Sequence, residues 1–77
     1  MTRLSVLQLA VLKALRAEEI RSRMVPAASN VDPEDWAVAK RLEDRGLVAL
    51  TGGKFRGEKW TTARLTEAGR DALKERS

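Results

Sequence analysis

The sequence contains no cysteine and no histidine. Without cysteine the chain cannot form disulfides or offer thiolate ligands to a metal ion. Without histidine it lacks the commonest metal ligand and the commonest general base, so catalysis would depend on carboxylates, amines or hydroxyls alone. We therefore expect a protein that is not an enzyme and that has no metal site and no cofactor.

Long apolar runs are also missing from the sequence. No run approaches the roughly 20 residues that are needed to cross a bilayer. The apolar N-terminal segment is interrupted by Ser5, Gln8 and Lys13, and no small-residue cleavage pattern follows it. We expect no membrane segment and no signal peptide, and hence a cytoplasmic protein. Its 77 residues suffice for one small domain, residues 1–77, with a single modest core.

Positive charge is distributed unevenly along the chain. The net charge is +4, with five basic and five acidic residues in 1–38 but ten basic and six acidic residues in 39–77. A positive field on one part of a protein suits a polyanion such as nucleic acid. A surplus of solvated charge that only improves solubility would give the same total.

Helical periodicity dominates the N-terminal half of the chain. Apolar residues recur at helical spacing from Leu4 to Leu15, which predicts a first helix capped by Thr2 or Ser5. Ile20 and Met24 lie four residues apart before the first proline, which indicates a short second helix. An irregular stretch should follow it.

The third helix has clear start and stop signals. Asp32 is a suitable N-cap, and proline is favoured at the first helical position. Gly46 is a natural stop, so we predict a helix from about Pro33 to Arg45. Its inward face consists of Val38, Ala39 and Leu42.

The C-terminal part of the chain predicts a hairpin and a closing helix. The segments "LVALT" and "WTTARLT" resemble strands, and the glycine-rich "GGKFRGEK" between them resembles a hairpin connection. Thr66 could cap a terminal helix. The residues expected to face the core there are Leu65, Ala68, Ala72 and Leu73.

The order of helix, glycine stop, basic hairpin and helix carries a family resemblance. "RLEDRGLVAL", followed after the hairpin by "ARLTEAGRDAL", resembles the recognition helix, wing and closing helix of bacterial MarR-like and PadR-like winged helix-turn-helix regulators. The resemblance covers Val38 to Leu73, about half the chain. The matching positions are Leu42 and Glu43, Gly46, Leu47 and Val48, then Leu65, Thr66 and Gly69.

That resemblance implies a fold and an activity. The expected fold is mostly α with a small β-hairpin, a winged helix-turn-helix of three helices, a two-stranded wing and a C-terminal helix. The implied partner is double-stranded DNA, bound by a small transcriptional regulator. Little chain is left for the long dimerisation helices of those families, so we expect a monomer or a weak homodimer.

The third helix offers one set of candidate DNA contacts. Its outward residues are Ala37, Lys40, Arg41 and Asp44, and a basic side chain on a helix in the major groove can pair with guanine or phosphate. An ordinary solvated face would look the same. Trp36 is more typical of a core plug or lid than of an exposed contact. The acidic start at residues 32–35 argues against deep insertion, although capping also explains it.

The wing offers the stronger functional signal. Residues 52–65 hold four basic residues against Glu58 alone, a local charge of +3. Flexible glycines allow close approach to a backbone, and basic residues at a wing tip can contact phosphates or enter a minor groove. Phe55 could fold back, stack or wedge, and Trp60 is expected in the core. A hairpin that only improves solubility is the alternative. The predicted DNA-binding residues are Trp36, Ala37, Lys40, Arg41, Lys54, Phe55, Arg56 and Lys59.

A second function remains open on the sequence. Winged helices also serve as protein-interaction modules, which could bind a polymerase subunit or another regulator. The acidic residues of the third helix and an exposed Trp36 would then form the contact surface.

Overall fold

A computed structural model describes the backbone of residues 4–55 and 58–76, and the side chains of residues 4–53 and 61–74. The elements are helix α1 (Val6–Ser22), strand β1 (Ser29–Asn30), a 3-10 turn (Pro33–Asp35), helix α2 (Trp36–Asp44), strands β2 (Val48–Phe55) and β3 (Glu58–Leu65), and helix α3 (Glu67–Arg76). The described chain is thus mixed α/β, with three helices and an antiparallel sheet in the order β1-β3-β2. None of the described helices is both long and apolar enough to span a bilayer.

Helix α1 is longer than the sequence pattern suggested. The predicted cap at Ser5 is confirmed, because its hydroxyl accepts from the Gln8 backbone N–H at 3.1 Å while the Gln8 side chain accepts from the Ser5 N–H at 3.0 Å. The predicted short second helix is wrong, since Ile20 belongs to the last turn of α1. No glycine or proline interrupts residues 6–22, so the helix continues until Arg23 takes a left-handed conformation with φ of 58°.

The sheet has three strands, and the prediction of a two-stranded sheet is therefore wrong. Ser29 pairs with Ala63 and Asn30 with Thr62, while the Val31 N–H donates to the Thr61 carbonyl at 2.8 Å. Residues 23–32, between α1 and the 3-10 turn, hold this short strand and no helix. A strand of two residues is too short to leave an alternating pattern in a sequence.

The core lies between the helices and one face of the sheet. Each helix and both long strands place at least one side chain there, and Leu12 and Leu42 are completely buried. Leu73 packs against this cluster, as predicted, but Ala68 is exposed, and Gly69 takes the buried position on α3 instead. The buried members of the cluster are Leu12, Leu15, Leu42, Val48, Ala63 and Leu65.

Helix α2 begins differently from the prediction and ends as predicted. Residues Pro33–Asp35 form a 3-10 turn, and neither Asp32 nor Asp35 makes a capping hydrogen bond through its side chain. At the other end Gly46 has φ of 75°, and its N–H donates to the Glu43 carbonyl at 2.9 Å. The Leu47 N–H donates to the Leu42 carbonyl at 3.0 Å. This pair of bonds is the Schellman arrangement, in which glycine avoids the penalty that a Cβ would bring.

The start of α3 is fixed directly against the end of α2. The Thr66 hydroxyl donates to the Gly46 carbonyl at 2.7 Å and accepts from the Gly69 N–H at 3.1 Å, which confirms the predicted cap. The Thr66 N–H donates to the Leu47 carbonyl at 3.2 Å. A Cβ on Gly69 would lie 2.1 Å from that same carbonyl oxygen. Position 69 therefore needs glycine for close approach, whereas position 46 needs it for its φ.

These two glycines give a matched prediction. We expect Gly69→Ala to lower the free energy of unfolding by about 2 kcal/mol, because the backbone junction must shift to accommodate the methyl group. Gly46→Ala should cost about 1 kcal/mol, since nothing lies within 4 Å of its Cβ position and only the backbone conformation is strained. Urea denaturation of both variants measures this. A Gly69→Ala variant as stable as the parent would contradict the close contact.

Candidate nucleic-acid interface

The β2–β3 hairpin is the most extended feature of the chain. Its strands pair from Val48 opposite Leu65 to Phe55 opposite Glu58, so each strand is about 26 Å long. Residues Gly52 and Gly53, which were predicted in the connection, lie within β2. Among the hairpin side chains that the structure describes, the buried ones are Val48, Ala63 and Leu65. The described chain measures 41 Å along its longest axis and 17 Å along its shortest.

The described part of the hairpin carries an ordered polar face. The Arg64 guanidinium donates from Nη1 to the Thr51 hydroxyl at 2.9 Å, and the Thr62 hydroxyl donates to the Thr51 carbonyl at 3.1 Å. These side chains point away from the core, because Ala63 and Leu65 alternate with them on the buried side. Arg64 is therefore a positive charge held in a defined position, and the list of predicted DNA-binding residues omitted it.

The remaining predicted hairpin contacts lie outside the described side chains. They are Lys54, Phe55, Arg56 and Lys59. Trp60, which was expected in the core, also lies outside the described side chains. The backbone register places position 54 opposite position 59. Two lysines of the sequence are thus cross-strand neighbours in the outer half of the hairpin.

Helix α2 presents the outward face that the sequence predicted. Ala37, Lys40, Arg41 and Asp44 are exposed, while Ala39 and Leu42 are completely buried and Val38 is half-buried. The helix therefore has a clear inside and outside. Its outward face alternates small, basic and acidic residues and contains no large apolar side chain.

Lys40 is neutralised within its own helix. Its ammonium group lies 2.6 Å from a Glu43 carboxylate oxygen and 3.7 Å from Asp44. The hydrogen bond to Glu43 and the attraction of both carboxylates raise the pKa of Lys40, and the same hydrogen bond lowers the pKa of Glu43. A phosphate or base that bound Lys40 would have to compete with these two carboxylates.

Arg41 is the more available cation on α2. It is exposed, and it forms no ion pair with another residue of the described chain. Arg45, at the end of the helix, instead donates to the Gln8 side chain at 3.3 Å. Of the two basic residues among the predicted contacts on this helix, only Arg41 can meet a phosphate without first leaving a carboxylate.

The start of α2 is acidic and its tryptophan is anchored. Carboxylate oxygens of Asp32, Glu34 and Asp35 lie within 4.8 Å of one another. Trp36 is half-buried, and its indole N–H donates to the Val31 carbonyl at 2.9 Å. Residues 32–45 contain five acidic and three basic residues, a net charge of −2. The N-terminal end of this helix is thus unfavourable for a polyanion.

A buried ion cluster joins α1 to α3. It was not predicted from the sequence. Glu19 is 1% exposed, and its two carboxylate oxygens accept from Arg16 at 3.0 Å and from Arg70 at 2.7 Å. Arg70 also approaches the Leu65 carbonyl at 3.4 Å. Glu19 follows the buried Leu12 and Leu15 at helical spacing, and this carboxylate on the inward face of α1 was the signal in the sequence. The cluster holds α3 and the end of β3 in place, which fixes the base of the hairpin.

The pairing of Lys40 with Glu43 can be measured directly. We expect the Glu43 carboxyl to titrate below the ordinary glutamate pKa of about 4.3. The pair's contribution to folding is then present above that value and is lost as pH falls through the lowered pKa. Carbon-detected NMR titration of the parent and of Lys40→Ala checks this, because removing the lysine should return the midpoint towards the ordinary value. An identical midpoint in both proteins would contradict the pairing.

The buried cluster gives a prediction about stability. Glu19→Ala should lower the free energy of unfolding by about 3 kcal/mol, because it leaves the partly buried Arg70 without its carboxylate. Glu18→Ala is the control, since that neighbouring carboxylate pairs with Arg21 at the surface and its loss should change stability little. Chemical denaturation compares the two. Equal losses in both variants would show that the partly buried Arg70 does not depend on its pairing with Glu19.

Comparisons with known proteins assign this surface no function. No family model, no curated protein sequence and no solved structure matches the chain. Function is therefore inferred from the geometry and charge of the elements described above.

Proposed function

We propose that this protein binds double-stranded DNA as a small regulator with a winged-helix-like arrangement. The observation that carries the proposal is the opposite net charge of the hairpin and of the segment that contains α2. Residues 52–65 have a net charge of +3, whereas residues 32–45 have a net charge of −2. The positive segment belongs to a hairpin that extends past the core, which is where a phosphate backbone can reach it.

The hairpin is the principal contact in this proposal. Its outer half is rich in glycine and lysine or arginine, which favours close approach to phosphates over fixed readout of bases. Arg64, held by Thr51 on the polar face of the hairpin, extends the positive surface towards the core. The wing of the proposed fold therefore supplies most of the affinity.

Helix α2 has a smaller role than the family resemblance implies. Its acidic start repels phosphates, and Lys40 is paired with Glu43 and Asp44. Arg41 stands on a rigid helix and is available, so it is the residue that could read a base in the major groove. DNA would then meet the C-terminal part of α2 and the hairpin. It would not meet residues 32–36, which include the 3-10 turn before α2.

A protein-interaction module is the second candidate function. The acidic group of Asp32, Glu34 and Asp35 beside the half-buried Trp36 favours it, because this end of α2 suits a basic partner better than DNA. The two functions use different ends of the same helix. Binding experiments can therefore separate them by residue.

The DNA proposal predicts two kinds of mutational effect. Lys54→Ala and Arg56→Ala should each weaken binding on all duplexes and reduce the slope of log K against log salt by about one unit. Arg41→Ala should cost about 1–3 kcal/mol on a preferred sequence and less on random duplex. Lys40→Ala should have a smaller effect than Arg41→Ala because Lys40 is already paired. Fluorescence anisotropy across a salt series measures all four variants.

The matched control is Arg21→Ala. It removes one positive charge from the exposed end of α1, where Arg21 pairs with Glu18, and leaves the hairpin and α2 intact. DNA affinity should be almost unchanged. If the hairpin variants bind like the parent while a Trp36→Ala variant loses a protein partner, the interaction module replaces the DNA proposal.

A further inference from the structure

The outward face of α1 is apolar over most of its length. Val6 is 84% exposed, Leu7 66% and Ile20 64%. Lys13 is the single charged residue among the exposed positions between Val6 and Ile20. Those positions, which we call the α1 stripe, are Val6, Leu7, Ala10, Lys13, Ala14, Ala17 and Ile20.

Three of the charged residues in the second half of α1 lie on its other sides, whereas Arg21 in the last turn is exposed beside the stripe and pairs with Glu18. Glu19 is buried against α3, and Arg16 and Glu18 are half-buried. Ala17 and Ile20 meanwhile face solvent. A surface helix normally has the opposite arrangement, with its polar residues outward. A helix that is apolar on both its inner and outer faces is usually covered on both.

The shape of the α1 stripe is self-complementary. Small alanines occupy its middle, so a second helix can approach closely there, and interaxial distances near 8 Å are the lower end of the usual range. Large side chains occupy both ends, about 20 Å apart along the helix. A twofold axis that passes between Lys13 and Ala14 pairs Leu7 with Ile20 of the other copy. The same axis pairs Ala10 with Ala17, so that large residues fill the space where the crossing helices diverge.

The charges beside the α1 stripe also match under this symmetry. A groove of about 550 Å³ separates α1 from α3, and its charged lining residues are Lys13, Arg16, Glu67, Arg70, Asp71 and Lys74. Arg16 and Arg70 already pair with Glu19, whereas Lys13, Glu67 and Asp71 form no ion pair with another residue of the described chain. Because the twofold axis stacks both α3 helices on one side of the α1 pair, Lys13 of each copy approaches the acidic residues of the other.

We propose that the α1 stripe is the contact surface for a second copy of this chain, with the two α1 helices antiparallel. A helix of 17 residues is about 25 Å long and about 10 Å wide, which is small beside the roughly 800 Å² per partner of a stable complex. The groove beside α3 adds to the contact, and the dimer is weak. This inference rests on α1 and α3 and is independent of the proposed DNA binding.

A charge-swap experiment tests both the surface and its antiparallel register. Sedimentation equilibrium from about 10 µM to about 1 mM should show the parent mass rising from 8.6 kDa towards twice that value. Ala10→Glu and Ala17→Lys should each abolish this rise, because each introduced charge then faces an alanine of the other copy and loses its hydration without gaining a partner. The double variant should recover it, since each introduced glutamate meets an introduced lysine of the other copy. Ala68→Glu, an exposed alanine on α3 outside the groove, is the control and should dimerise like the parent.

Several results would overturn the proposal. A parent that stays monomeric across the whole range would assign the α1 stripe to another occupant, such as a lipid surface or a different protein. Dimers that persist in both single variants would place the interface elsewhere. Loss of association in the single variants without recovery in the double variant would exclude the antiparallel register. Circular dichroism confirms that each variant is folded before the masses are compared.

Discussion

The backbone of residues 46 and 47 determines how helices α2 and α3 and the β2–β3 hairpin are joined. The Leu47 carbonyl accepts from Thr66 and lies against Gly69, while the Leu47 N–H closes the end of α2. The Thr66 hydroxyl bridges the Gly46 carbonyl and the first turn of α3. Four element ends therefore meet within a few residues. Both strands of the hairpin leave from this junction, so its geometry sets the direction in which the basic segment extends.

The buried ion cluster reinforces the same region from the other side. Glu19 holds Arg70 of α3, and Arg70 in turn approaches the Leu65 carbonyl at the end of β3. A buried carboxylate costs desolvation free energy that only good geometry offsets, so such a cluster fixes one arrangement of α1 and α3 more than it stabilises the fold. The hairpin that begins in this region carries a net positive charge over residues 52–65, whereas residues 32–45 carry a net negative charge. Under the proposed function, the base of the hairpin orients it towards DNA and keeps the acidic start of α2 away from the DNA.

Local signals in the sequence predicted much of this fold. Gly46, Thr66 and Ser5 act through hydrogen bonds and φ preferences within a few residues of themselves, and their roles were all predicted correctly. The split into two helices was wrong because the apolar pattern of Leu4 to Leu15 resumes at Ile20 within one uninterrupted helix, which ends at Ser22. Strand β1 and the Glu19 cluster depend on contacts between distant segments, Asn30 with Thr62 and Glu19 with Arg70. No local periodicity reports such contacts.

The candidate site could be predicted only in part for a similar reason. Exposure of Lys40 and Arg41 follows from helical periodicity, and the structure confirms it. Periodicity does not predict that Lys40 is ion-paired while Arg41 is not. That difference depends on side-chain conformations, which bring Glu43 and Asp44 close to Lys40. The polar face of the hairpin around Arg64 depends on strand register, which the glycine-rich sequence left open. The count of charges along the sequence was enough to identify the basic hairpin. Only the structure shows which basic side chains are held in place or already paired.

An NMR titration of the labelled protein with a generic DNA duplex at low salt reports both whether the protein binds DNA and where. If the hairpin is the principal contact, amide shifts should grow progressively in the hairpin and in the C-terminal part of α2 around Arg41. Little change is expected at Asp32, Glu34 and Asp35 or along the outward face of α1. Absence of any shift at low salt, or shifts confined to residues 32–36, would exclude DNA binding through the hairpin.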